Sequence, residues 1–214
     1  MILNISNYRI VVLFVLLVTQ LIGSAQDFNP FPDTLYFMNA NTMGCKVIDS
    51  TLYGAKVQVP AKKGKTKEMV IEGIRLFSIK FADGHEKIIY KQDSAVENYF
   101  TIEETRLFIK GEQDAQRGFK STWTNVGAGA IGIAGGTFNP ILAFLPPFAY
   151  AGAMLIPKIK IKQHTVSNKQ YLKYDTYLLG YERVARKRKA MNAFVYGISG
   201  AVTGILIKAI ILDK

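Results

Sequence analysis

From Val126 to Pro157 no side chain carries a charge, and the run opens with VGAGAIGIAGG (Val126–Gly136). This stretch restricts the fold more than any other. A phosphate-binding glycine loop follows a strand, and a P-loop places Lys-Ser/Thr after its last glycine. Here the preceding GEQDAQRGFK (Gly111–Lys120) has helical character, Gly136 leads into Thr137-Phe138-Asn139-Pro140, and no lysine follows until Lys158. A phosphate loop is therefore disfavoured. A flexible linker is disfavoured as well, because Ile131, Ile133 and ILAFLPPFAYAGAMLI (Ile141–Ile156) would leave a large apolar surface in water. Glycine and alanine at intervals of three and four instead let helix backbones approach closely, which in lipid replaces the missing hydrophobic drive between helices.

Gly132 and Gly136 have the GxxxG spacing, and Gly200 and Gly204 repeat it in a second apolar segment, Asn192–Leu212. These four glycines are the expected helix-packing residues. The second segment meets the roughly 20 residues a span requires, and its one charge, Lys208, can snorkel to an interface. The first segment is longer than one helix needs and is broken by Pro140 and Pro146-Pro147, so it suits two short spans, one kinked span or a re-entrant hairpin. A soluble bundle with a Gly/Ala core is the remaining alternative.

The net charge is +11, and ten of the 27 Lys and Arg residues fall between Lys158 and Lys189, directly between the two apolar segments. Basic residues beside an apolar span set topology or meet anionic head groups, so membrane lipid is the expected partner and nucleic acid is not. The cluster Arg183, Arg186, Lys187, Arg188 and Lys189 is expected at the membrane surface. The positive-inside rule, applied to an exported chain, favours a single kinked crossing before Lys158. The start, MILNISNYRIVVLFVLLVTQLIGSAQ, has the n-region, apolar h-region and small-residue end of a secretory signal, with cleavage expected after Ala25.

Cys45 is the only cysteine, which excludes an intrachain disulfide and suggests a small buried apolar residue. With only His85 and His164 and no spaced cluster of ligands, no metal or cofactor site is expected. No catalytic residue is expected either, because no nucleophile and base stand at recognisable spacing.

Residues 27–93 read as short strands. DTLYFMNANTMGCKVIDS holds two extended runs about an Asn39-Ala40-Asn41 turn, YGAKVQVPA alternates, EMVIEGIRLFSIKF is apolar, and Asp83-Gly84 is a strong hairpin signal. Together they suggest a meander that curls into a small barrel. The opening Asp33, Lys46-Val47 at the second strand, and Ile74–Phe81 before Asp83-Gly84 resemble the SH3-like or Sm-like barrels that begin many bacterial envelope proteins. The resemblance implies a binding module without catalytic residues.

Residues 94–214 are expected to be helical, making the whole α+β. Thr101 and Glu104 have capping-box spacing for a helix to about Lys120, on which Glu112 and Asp114 read as surface partners of Arg117 and Lys120. Tyr171, Tyr174, Tyr177 and Tyr181 share one helical face, interfacial or core. At an offset of seventy residues, Glu112, Ala115, Arg117 and Gly127 match Glu182, Ala185, Lys187 and Gly197, a faint sign of duplication. The combined reading is a non-enzymatic protein of the bacterial cell envelope, in the inner membrane with its β domain in the periplasm. Its glycine-packed helices would serve anchoring or assembly, including a protein partner or homo-oligomer. The alternative is a small channel, transporter component or membrane-permeabilising protein.

Overall fold

The computed structural model describes residues 31–61, 65–96, 98–139 and 142–212; the expected leader lies outside them. The chain is α+β. Six antiparallel strands are β1 (Asp33–Phe37), β2 (Thr42–Thr51), β3 (Gly54–Pro60), β4 (Thr66–Glu72), β5 (Leu76–Lys80) and β6 (Glu86–Ile88). Four α-helices follow among the described residues: α1 (Ile102–Gly118), α2 (Thr122–Phe138), α3 (Leu145–Ala153) and α4 (Asp175–Ile207).

The strand order is β4-β3-β2-β1-β5-β6. Strand β2 belongs to two ladders. Thr42–Cys45 pair with β1, while Lys46–Thr51 pair with β3 across a register shift between Val47 and Asp49. This lets the sheet fold over one core in which Leu35, Cys45, Val57, Leu76 and Ile79 are buried together. Burial, with a smaller effect from the Asp33 charge, pushes the Cys45 thiol up to about 11. Asp33 ties the two halves: its carboxylate accepts from the Val47 amide at 2.8 Å and the Ala82 amide at 3.0 Å.

The sheet is open, with β4 and β6 at its edges, so the expected barrel closure is not seen. The physical reason lies in EMVIEGIRLFSIKF. A short 3-10 turn at Gly73–Arg75 splits it, sending β4 to an outer edge and β5 to the far side of β1. Gly73 permits the turn because a Cβ there would meet the Leu52 carbonyl. The Asp83-Gly84 hairpin forms as expected, with Gly84 at φ 89°.

The capping box opens α1: the Glu104 amide donates to the Thr101 hydroxyl, and the Glu104 carboxylate accepts from the Thr101 amide at 2.8 Å. Ile109 of α1 packs with Phe77 and Tyr90 against the sheet. Helices α1 and α2 then run in series along α4, parallel to it. The Asn192 amide donates to Ser121 at 3.3 Å, Arg188 donates to the Gln116 carbonyl, and Lys208 donates to the Phe138 carbonyl at 3.4 Å.

After α2 the chain reverses. Phe148 packs on Phe194 with ring centroids 4.8 Å apart, the Leu155 carbonyl accepts from Arg186, and Ser167 reaches Asp114 on α1. Segment 126–157 thus holds two helices, α2 and α3, that fold back on one another rather than one continuous kinked helix. It returns Lys158–Lys189 to the side occupied by α1 and the sheet. Helix α2 ends at Phe138 and α3 begins at Leu145, and Pro146-Pro147 sit in the first turn of α3, where missing amides cost little.

Candidate functional site

Burial in the α2–α3–α4 bundle is the reverse of that in a soluble core. Its inside is mostly small: Ala128, Gly132 and Gly136 on α2, Ala151 beside the larger Pro147 on α3, and Ala193, Gly197, Gly200, Ala201 and Gly204 on α4. Its outside is large and apolar. Trp123 is 88% exposed, Phe138 89% and Ile156 80%, with Val126, Leu145, Phe148 and Val195 also exposed. Helix α4 with its continuation to Ile210 is long and apolar enough to cross a membrane, and most of its apolar window is uncovered by the rest of the chain.

All four expected packing glycines lie on the α2–α4 seam. A Cβ on Gly132 would overlap the Gly197 carbonyl, and one on Gly136 the Ala201 carbonyl. In the other direction, Gly200 faces the Gly129 carbonyl and Gly204 the Ile133 carbonyl. The same device recurs between α1 and α4, where Gly111 meets the Tyr177 carbonyl and Gly180 the Phe108 carbonyl. These glycines are engaged within one chain.

A boundary crosses the bundle at the Ser121–Asn192 and Leu155–Arg186 hydrogen bonds. Each leg changes character there: Lys120 gives way to Trp123, Lys158 to Ile156, and Lys189 to Met191. Of the expected surface cluster, Lys187 is exposed, but the three arginines also make contacts within the chain. Arg183 pairs with Glu112 at 3.2 Å and stacks over Phe108, Arg186 pairs with Glu182 at 2.9 Å, and Arg188 donates to the Ala115 and Gln116 carbonyls.

Glu112 and Asp114 are not surface residues. They are 1% and 3% exposed, because the glycine contacts bring α4 down over this face of α1. Asp114 accepts from Tyr177 at 2.7 Å, from the Ser167 amide and hydroxyl, and from Arg117 at 2.9 Å. Burial raises the Glu112 carboxyl above its ordinary range, with Arg183 opposing, and its Oε2 has no hydrogen-bond partner among the described residues. Tyr177 and Tyr181 of the tyrosine face are core, whereas Tyr174 is exposed. The signal for this burial was the pair of small residues Gly111 and Ala115, four apart, which marks where a second helix fits.

Among the described residues no group of three or more His, Cys, Asp or Glu is arranged to hold a metal. The buried carboxylates serve the α1–α4 contact, and their partners are two arginines, a tyrosine and a serine. Comparison with protein-family models, with curated proteins and with solved structures gives no match, so the functional argument rests on this geometry.

Proposed function

We propose that this chain is a non-enzymatic, membrane-anchored protein of the bacterial cell envelope. The sheet and α1 form a binding module outside the bilayer, and α2, α3 and the apolar part of α4 form the anchor. One observation carries the reading: in the bundle the small residues are inside and the large apolar residues face outward. Water would penalise such a surface and lipid favours it, while glycine contacts supply the packing that lipid cannot drive.

In this reading α4 from Met191 to Ile210 crosses the bilayer core, being about 30 Å long at 1.5 Å per residue. The α2–α3 hairpin enters beside it and returns to the same face. A helical anchor favours the inner membrane, and the leader-type start favours a periplasmic module. The shared, bent β2 supports an SH3-like lineage for that module. A pore within one chain has less support, because backbone fills the α2–α4 seam. Alkaline carbonate extraction of cell membranes tests the anchor. The full-length protein is expected to stay in the pellet, and its release with peripheral proteins would remove the reading.

A further inference from the structure

A cavity of about 440 Å³ opens where α1 gives way to α2, and its lining includes Lys120, Trp123, Lys160, Lys162, His164 and Tyr181. We propose that it binds the phosphate of an anionic membrane lipid head group. The proposal rests on the membrane anchoring argued above and adds a defined ligand class and site to it.

The charge is one-sided. Among the described residues three lysines line the cavity and no carboxylate does. Elsewhere in this helical region Arg117, Arg183 and Arg186 each have an acidic partner, whereas none of these three lysines forms an ion pair among the described residues. Uncompensated positive charge in a concave site concentrates anions, and lysine is a common point-charge ligand for phosphate. The far wall is preorganised: Thr165 and Tyr181 share a hydrogen bond of 2.7 Å, and Thr165 packs so closely on Gly118 that a Cβ there would collide with it. Thr122 and Trp123, in the first turn of α2, line the near wall. Ser121 donates its hydroxyl to Asn125 and does not cap that helix end, so its amide dipoles add to the positive field.

The position selects a lipid over a free anion. The cavity lies on the basic side of the boundary drawn by Ser121–Asn192 and Leu155–Arg186. Trp123, 88% exposed, stands at its rim, where an amphipathic ring suits the head-group level of a bilayer. A phosphodiester bound between Lys160 and Lys162 would leave its acyl chains beside the exposed apolar residues of α2 and α3.

Trp123 is the only tryptophan in the chain, so its emission reports on the site. The full-length protein in zwitterionic micelles is titrated with phosphatidylglycerol, with phosphatidylcholine of the same chain length, and with inorganic phosphate. Phosphatidylglycerol is expected to shift the emission saturably and phosphatidylcholine to leave it unchanged. The K160E/K162E variant is expected to bind about tenfold more weakly or worse, as loss of charge-assisted contacts implies, and K160Q/K162Q to fall between. Equal responses to the two lipids, or an unaltered titration by both variants, would overturn the proposal. Full competition by inorganic phosphate at equal affinity would assign the cavity to a free anion and overturn the lipid. Carbonate extraction of K160E/K162E separates the two levels of argument. Retention in the pellet with loss of the lipid response isolates the site, whereas release of the native protein defeats the anchor itself.

Discussion

At Gly132 one methyl group decides whether α2 and α4 can touch. The atom a new Cβ would meet is the Gly197 carbonyl oxygen, part of a helix backbone that no rotamer change can move. Gly132→Ala is therefore expected to force the helices apart and cost about 1–3 kcal/mol, the usual scale of overpacking. Gly152→Ala is the control, because nothing lies within 4 Å of a Cβ at that helical position. Thermal melts in detergent should show a lower midpoint for the first and none for the second; equal midpoints would mean the seam is looser than described. Glu112 supplies a pH signature. Burial raises its folded-state pKa, so the native chain holds this proton more tightly than the unfolded chain does. Its contribution to stability is complete below the ordinary value of 4.5 and is lost as pH rises through the raised folded value. Glu112→Gln keeps an acceptor for Arg183 and is expected to flatten the fall in melting temperature above about pH 4.5. An unchanged slope would assign the pH dependence to another group.

At the scale of elements, the features legible in the sequence are those whose cause is local. The capping box at Thr101 and Glu104, the hairpin at Asp83-Gly84 and the GxxxG spacings each need only residues a few positions apart. What was not legible depends on partners far along the chain. The break at Gly73 is set by the backbone of Leu52 and Tyr53, and the burial of Glu112 and Asp114 is set by α4. Helical spacing on α1 shows only its own arginines, so those carboxylates read as surface pairs. The seventy-residue echo takes on a physical meaning here. Four hydrogen bonds between the α1–α2 series and α4 with its continuation join residues 70 to 73 positions apart, and the echoed Ala115 and Ala185 share one buried cluster. The echo is thus close to the register of a parallel helix pair. Cysteines at Ser121 and Asn192, whose side chains hydrogen-bond at 3.3 Å, are expected to cross-link rapidly with a mild oxidant, while the fully buried Cys45 competes little. In a single kinked crossing those positions would sit at opposite membrane faces, so failure to cross-link in membranes would restore that topology.

For the whole molecule, the reversal between α2 and α3 has a consequence that charge alone does not indicate. The positive-inside rule separates an exported sheet from Lys158–Lys189 by a membrane. The hydrogen bonds of Ser167 to Asp114 and the pairing of Arg183 with Glu112 instead tie the basic segment to α1, and Ile109 ties α1 to the sheet. Those contacts bury both carboxylates, and Asp114 would lose the Ser167 amide and hydroxyl that hydrogen-bond it if the basic segment were pulled away. A topological preference carried by exposed lysines is spread over several weak, screened interactions, so in the anchored protein proposed above the packed contacts are expected to prevail and to keep the basic residues on the sheet's own side. Tyr53 in the β2–β3 turn is 92% exposed and Lys169 is exposed in the basic segment. Single cysteines at these positions are expected to react with a membrane-impermeant maleimide from the same side, outside the inner membrane in spheroplasts. Labelling of one without the other would show that a crossing separates them and would break the hairpin topology.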